Sequence, residues 1–210
     1  MVLLWLMNNL VHGSQIPILD TYGDMRGQYS LSIESENISQ TRTIIPRLYY
    51  SNNLLAETIE VLENKKSRLE KLNKLLLTES EIQELTFTRE IMLERTVFFC
   101  IETLKQIQKR TNSVSRIDEI PKIFSSLIPG IRTISAQLVD ILPESSQRLS
   151  ELSVHLGSIV LDSATITKAQ FDFSQSNKES SLLLDGIKLM VDSKIRKQYH
   201  HLNFFTVHNT

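Results

Sequence analysis

Leucine recurs every seven residues between positions 48 and 76, and this repeat is the most regular pattern in the chain. Ile59 and Leu72 widen the apolar stripe, and charged side chains fill many of the remaining positions. A stripe of this width is typical of a helix that is buried on one side. The pattern predicts a helix over residues 47–77, with Pro46 opening it, where the missing N–H costs little. The leucines expected to form its buried seam are Leu48, Leu55, Leu62, Leu69 and Leu76.

A second amphipathic stretch begins directly after the first. Residues 78–81, Thr-Glu-Ser-Glu, have the form of a capping box that would satisfy backbone N–H groups at a new helix start. No glycine or proline occurs between residues 47 and 110, so nothing forces a break in either helix. We therefore predict a long antiparallel helical hairpin that turns at Thr78, and an ordinary coiled coil is the plainer interpretation. The apolar positions of the second helix are Ile82, Leu85, Met92, Leu93, Val97, Cys100, Leu104 and Ile107.

Residues after the hairpin are predicted to form a hinge and three further helical segments. A helix over residues 120–141 should be kinked or split near Ile128, because Pro129 and Gly130 disfavour a continuous helix. Pro143 begins a short helix, and a C-terminal helix follows a polar stretch. The hinge consists of Thr111, Asn112, Ser113, Val114 and Ser115, which include weak helix formers.

The whole pattern predicts an all-α fold, and the small numbers of glycine and proline, six and five, agree with that class. The predicted organisation is a flexible leader with an apolar N-terminal segment (residues 1–45), a helical core (46–162), a linker (163–178), a C-terminal helix (179–203) and a tail (204–210).

The charge of the chain is balanced, with a formal net charge of −1 and nearly equal numbers of acidic and basic residues in each half. An electrostatic partner would therefore have to meet a local surface. One such surface is predicted on the first helix, and it would suit anionic lipid or simply face solvent. No nucleic acid is expected, because acids interrupt the basic residues and no aromatic residues lie between them. These basic residues are Lys65, Lys66, Arg68, Lys71 and Lys74.

Residues 1–7 are wholly apolar and form a candidate membrane anchor with Leu3, Leu4, Trp5 and Leu6 facing the membrane. This segment is too short to span a bilayer, which needs about 20 residues. The alternatives are a strap over the helices or an upstream start that is not used, with Met25 as the first residue.

Catalytic chemistry is not expected from this sequence. It contains no glycine-rich phosphate loop, and its single cysteine, Cys100, lies in an apolar stretch that predicts a buried structural thiol. His200 and His201 are adjacent and would point about 100° apart on a helix, so they do not form a metal site. His155 is interpreted as a helix-flank residue. We therefore predict a protein that is not an enzyme and uses no cofactor or metal.

Several stretches resemble the ESCRT-III superfamily, and above all its archaeal cell-division members of the CdvB type. The similarity lies in the order of the helices and in the amino-acid sequences of residues 128–138 (IPGIRTISAQL), 141–144 (ILPE) and 149–152 (LSEL). Residues 46–69 resemble the start of the family's first helix, and residues 182–197 resemble its late helix.

The resemblance implies a non-catalytic subunit that polymerises on membranes and takes part in membrane remodelling or scission. Its partners would be further copies or ESCRT-III paralogues and an anionic membrane surface. It would be cytoplasmic and peripheral on the inner face of the cell membrane, with the division site as one location. An AAA ATPase would act indirectly, because the family's ATPase-docking and winged-helix-binding stretches are not present after Lys197. The alternative is a soluble helical coiled-coil adaptor with no membrane or polymer role.

Overall fold

The computed structural model describes residues 35–76, 84–114, 116–168 and 173–200, and these residues form helices joined by short turns. No strand occurs among them, so the predicted all-α fold is confirmed. The helices are α1 (Ser35–Leu76), α2 (Glu84–Ser113), a 3-10 turn (Ile117–Glu119), α3 (Ile120–Leu138), α4 (Pro143–Thr167) and α5 (Phe173–Gln198).

The helices α1 and α2 run antiparallel along each other, as predicted. Residues later in α1 contact residues earlier in α2: Asn52 pairs with Asn112, Glu63 with Lys105, and Asn73 with Glu94. The helices α3 and α4 form a second pair, in which α4 lies against α1. The last helix, α5, packs on α3 and α2.

Side chains from α1, α2, α3 and α4 form one large apolar cluster, and the leucine repeat supplies its α1 side. Leu55, Leu62 and Leu69 are buried, while Leu48 and Leu76 are half-buried and pack against apolar clusters. Leu72 was expected to widen the seam but is 40% exposed. It lies about 60° of helix rotation from Leu69 and about 40° from Leu76, at the edge of the seam.

The first helix begins earlier than predicted, and Pro46 lies inside it rather than opening it. Ile44 and Ile45 are only 1% and 3% exposed, so the buried seam continues upstream of the proline. The proline ring itself is exposed. Burial of these isoleucines offsets the backbone hydrogen bond that Pro46 cannot donate. Eleven residues of the predicted leader, 35–45, therefore belong to α1.

The predicted hinge is shorter in the structure, because α2 continues through Ser113. The hydroxyl of Thr111 donates to the carbonyl of Gln108 at 2.9 Å, and the amide of Asn52 on α1 donates to Asn112 at 2.9 Å. These contacts compensate for the weak helix preference of the segment. Among the described residues, Val114 and Arg116 are the ones outside a helix between α2 and the 3-10 turn.

The predicted break at Pro129 and Gly130 is wrong, because α3 runs through both residues without interruption. A β-carbon on Gly130 would lie 3.5 Å from the Ser180 hydroxyl, so this glycine marks the close crossing of α3 and α5. Contacts with three neighbouring helices hold α3 in one piece despite its proline.

The predicted linker is mostly helical: α4 extends to Thr167, and α5 begins at Phe173. Its polar composition misled the prediction because two of its three serines, Ser163 and Ser176, are buried rather than exposed. Ser176 is 7% exposed and lies 2.9 Å from the hydroxyl of Ser125 on α3. A left-handed residue, Lys168 with φ 51°, ends α4.

Four predictions lie outside the described residues. They are the apolar segment with Leu3, Leu4, Trp5 and Leu6, the capping box at residues 78–81, hinge residue Ser115, and the tail at residues 204–210. In the part of the chain that is described, no helix has the length and apolar character needed to cross a membrane.

Candidate functional site: the contact between the last helix and the hairpin

The second half of α5 docks on α2 through an apolar cluster of its own. Phe87 and Ile91 on α2 meet side chains from α5, and the rings of Phe87 and Tyr199 pack edge to face with centroids 6.4 Å apart. This cluster is separate from the large core, and the half-buried Phe99 touches both. The α5 side consists of Ile187, Val191, Ile195 and, just past the helix end, Tyr199.

A fully buried carboxylate, that of Glu94 on α2, lies beside this cluster. It accepts hydrogen bonds from the amide of Asn73 on α1 at 2.6 Å, the hydroxyl of Tyr199 at 2.5 Å and the amide of Gln198 at 3.1 Å. None of the ion pairs formed by the described residues involves Glu94. Neutral donors from α1 and from the end of α5 therefore satisfy it, and one carboxylate ties three parts of the chain together.

The hydroxyl of Tyr199 stays protonated and donates a hydrogen bond to this carboxylate. Burial, followed by the hydrogen bond and the negative charge of Glu94, raises the pKa of Tyr199 well above its ordinary value of 10.0. The hydroxyl therefore keeps its proton at neutral pH, and the contact does not depend on the ionisation of the tyrosine.

Partly exposed charged contacts surround the buried ones. Arg95 on α2 pairs with Asp192 on α5 at 2.6 Å. The ammonium groups of Lys66 on α1 and Lys194 on α5 lie 4.7 and 5.0 Å from the centre of the Phe98 ring. Exposed ion pairs contribute about 0–1 kcal/mol and cation–π contacts about 0.5–1 kcal/mol. Much of the docking energy therefore comes from the apolar cluster and from the buried Glu94.

The structure does not bring the five predicted basic residues together on one face. Lys65 and Lys66 flank the buried seam, and Lys66 pairs with Glu70 while packing over Phe98. Three others share the exposed side of the helix: Arg68, Lys71 and Lys74. They follow one another at three-residue steps on the side facing away from α2. A lipid-binding surface on α1 would consist of these three residues.

The residues considered for catalysis lie apart from one another. Cys100 is buried, and burial raises the pKa of its thiol to about 12, so the reactive thiolate does not form at neutral pH. The ring of His155 packs on the edge of Tyr50, with centroids 5.5 Å apart. Among the described residues, no group of His, Cys, Asp or Glu side chains has an arrangement that could hold a metal ion.

A shallow cleft of about 270 Å³ lies between α2, α3 and α5, and Arg95, Phe99, Gln137 and Asp192 are among its lining residues. Because Arg95 and Asp192 already pair across it, the cleft belongs to the docking contact of α5.

Sequence reasoning missed Glu94, Asn73 and Tyr199 as a group. Two of them carry a signal: Asn73 lies between the seam positions Leu69 and Leu76, and Glu94 lies between Ile91 and Val97. A polar residue at a core position of an amphipathic helix indicates a buried hydrogen-bond partner. Which partner it meets depends on the packing of distant helices and is not encoded locally.

No protein-family model matches the chain, and no solved structure matches it.

Proposed function

We propose that this chain is a non-catalytic, ESCRT-III-like subunit that polymerises on membranes and takes part in membrane remodelling or scission, with archaeal cell division as its setting. It would act in the cytoplasm at the inner face of the cell membrane. The observation that carries the proposal is the way in which α5 folds back onto the hairpin through a small cluster separate from the large core.

This arrangement suits a subunit with two states. Release of α5 from α2 and α3 would open the small cluster around Phe87 and leave the large core of α1, α2, α3 and α4 closed. The freed apolar face could then pack on a neighbouring subunit. Because both states bury apolar surface, a difference of a few kcal/mol decides between them. Membrane binding or a paralogous subunit would supply that difference, and an AAA ATPase would act indirectly.

A second joint supports the same proposal. The helix α2 ends at Ser113, and a separate 3-10 turn at Ile117–Glu119 leads into α3. If the few residues between α2 and α3 became helical, these helices would form one longer helix and α3 would leave the hairpin. The hinge is thus the position at which a folded-back subunit would extend into a polymer.

The experiment is sedimentation with negative-stain imaging of the purified protein, with and without anionic liposomes, and neutral liposomes as the control. We expect ordered polymers that pellet with anionic liposomes. Dispersed monomers under all salt and lipid conditions would overturn the proposal and favour the helical adaptor.

A further inference from the structure

Two pairs of apolar side chains lie fully on the outside of the molecule, one on α4 and one on α5. Val154 and Leu161 on α4 are 69% and 61% exposed, and Leu182 and Leu189 on α5 are 73% and 72% exposed. The members of each pair are seven residues apart, so they lie two turns apart on the same face of their helix. Each helix therefore presents a short apolar stripe that no other described part of the chain covers.

A glycine lies inside each stripe, and packing within the chain does not explain either one. A β-carbon on Gly157 or Gly186 would meet no atom within 4 Å, whereas one on Gly130 would lie 3.5 Å from the Ser180 hydroxyl. Glycine destabilises a helix interior relative to alanine. Where no neighbour in the same chain needs the space, a second helix approaching from outside can use it.

Charges beside the two stripes have opposite signs. On α4, the exposed acids Glu144 and Glu151 lie about three turns and about one turn before Val154, toward the start of the helix. On α5, exposed lysines lie at both ends of the stripe: Lys178 about one turn before its first leucine and Lys197 about two turns after its second. The acids beside the α4 stripe can therefore meet a lysine beside the α5 stripe whether the two helices cross parallel or antiparallel.

We propose that α4 of one molecule and α5 of a second copy cross antiparallel with Gly157 facing Gly186. Leu182 then packs against Leu161, and Leu189 packs against Val154. A parallel crossing would place Val154 against Leu182 and leave the glycines out of register, because Gly157 follows Val154 by three residues and Gly186 follows Leu182 by four. The antiparallel arrangement is thus the one in which the apolar and glycine positions both match.

The two surfaces differ, so this contact is head-to-tail and leaves a free α4 and a free α5 at the ends of every assembly. Such a contact extends into a chain of subunits unless the rotation closes it into a ring. It uses the outer face of α5 while the inner face stays on α2, so subunits meet in the folded-back state. This inference deepens the proposed polymer by naming the surface through which its subunits first associate, and to that extent rests on it.

Sedimentation velocity of the full chain across a concentration series, without lipid, tests the contact. We expect reversible association of the wild type, and at least about a tenfold higher dissociation constant for Val154→Glu and for Leu189→Glu. Val139→Glu is the matched control, since Val139 is 53% exposed and lies outside both stripes. Equal association of all four proteins would overturn the contact.

Mixing separates a head-to-tail contact from a symmetric one. Val154→Glu keeps its α5 stripe and Leu189→Glu keeps its α4 stripe, so an equimolar mixture should form 1:1 dimers that do not grow. A symmetric contact between two α5 helices would instead leave Val154→Glu as associated as the wild type, and that result would overturn the proposal.

Gly157→Ala and Gly186→Ala distinguish an interface from a folding effect. Each should raise the melting temperature, because alanine favours the helix, and also weaken association. A higher melting temperature together with stronger association would overturn the role of the glycines. If none of these variants changes polymer formation on liposomes, the proposed function stands without this contact. If these variants change association in solution and no polymer forms on any membrane, the contact stands without the proposed function.

Discussion

The carboxylate of Glu94 is the single group on which the docking of α5 most depends. It is fully buried and has three neutral donors, two of which come from the end of α5 and the residue after it. A buried acceptor that loses a donor costs more than an average hydrogen bond, because water cannot replace the donor.

We therefore expect Tyr199→Phe to lower the free energy of unfolding by about 1–3 kcal/mol. The ring stays and only the hydroxyl to Glu94 is removed, so packing against Phe87 is preserved. Tyr49→Phe is the control, since Tyr49 is 39% exposed. Urea denaturation measures both, and equal stabilities of the two variants would show that the Glu94 contact is not important.

The buried thiol predicts a loss of stability in alkaline solution. Burial raises the pKa of Cys100 from 9.0 to about 12, so the unfolded chain releases this proton before the folded one does. The contribution of this buried, protonated thiol to the free energy of unfolding is complete below pH 9.0 and is lost as the pH rises toward about 12.

Thermal melts of the wild type and Cys100→Ala between pH 8 and about 11 test this effect. The wild type should lose up to about 1.4 kcal/mol more per pH unit above 9.0 than the variant. Tyr199 contributes equally in both proteins, so the difference in slope belongs to the cysteine. Parallel pH profiles would mean that Cys100 ionises in the folded state.

At the scale of helices, strong apolar periodicity predicted α1, α2 and the hairpin correctly. Helix ends and breaks were less accurate, because proline and serine act through packing as well as through local preference. Pro46 and Pro129 lie inside continuous helices, and Ser176 is buried against Ser125. Only the arrangement of neighbouring helices determines whether such residues end a helix or lie within it.

Pro46 offers a direct test of this balance. Pro46→Ala restores a backbone donor inside α1 without disturbing packing, because the ring is exposed, and should stabilise the fold by about 1–3 kcal/mol. Pro143→Ala is the control: it lies at the start of α4, where proline is favourable, and should give no gain. Thermal melts followed by circular dichroism measure both. Equal shifts in the two variants would mean that Pro46 does not strain α1.

At the scale of the whole molecule, the sequence could not predict which apolar faces meet. Each helix carries an apolar stripe, but the docking of α5 on α2 and α3 depends on how stripes far apart in the chain match in shape. The predicted basic surface illustrates the same limit: Lys66 turns toward Phe98 on another helix, and three of the five residues remain together on the exposed face of α1.

Lipid binding through α1 should therefore depend on Arg68, Lys71 and Lys74. Reversing all three to Glu should abolish sedimentation with anionic liposomes, since each basic residue near such a surface contributes about 1 kcal/mol. The wild-type signal should fall as salt rises, because the Debye length shortens to about 8 Å near physiological ionic strength.

A control variant with the same net charge reverses the exposed Lys109, Lys122 and Arg132 on other helices. Equal loss of binding in both variants would indicate a general charge effect rather than a surface on α1. Binding that survives the α1 reversal and is insensitive to salt would favour the apolar segment around Trp5.

The division of the interior into two apolar clusters has a consequence for amide hydrogen exchange. Among the described residues, six buried side chains form the cluster around α5, against 23 in the large core. Cooperative units that bury less apolar surface open at lower free energy. Amides in α5 should exchange through a partial opening well before those of α1, α3 and α4, whose exchange should require unfolding of the whole chain. Uniform protection across all five helices would mean that the two clusters melt as one.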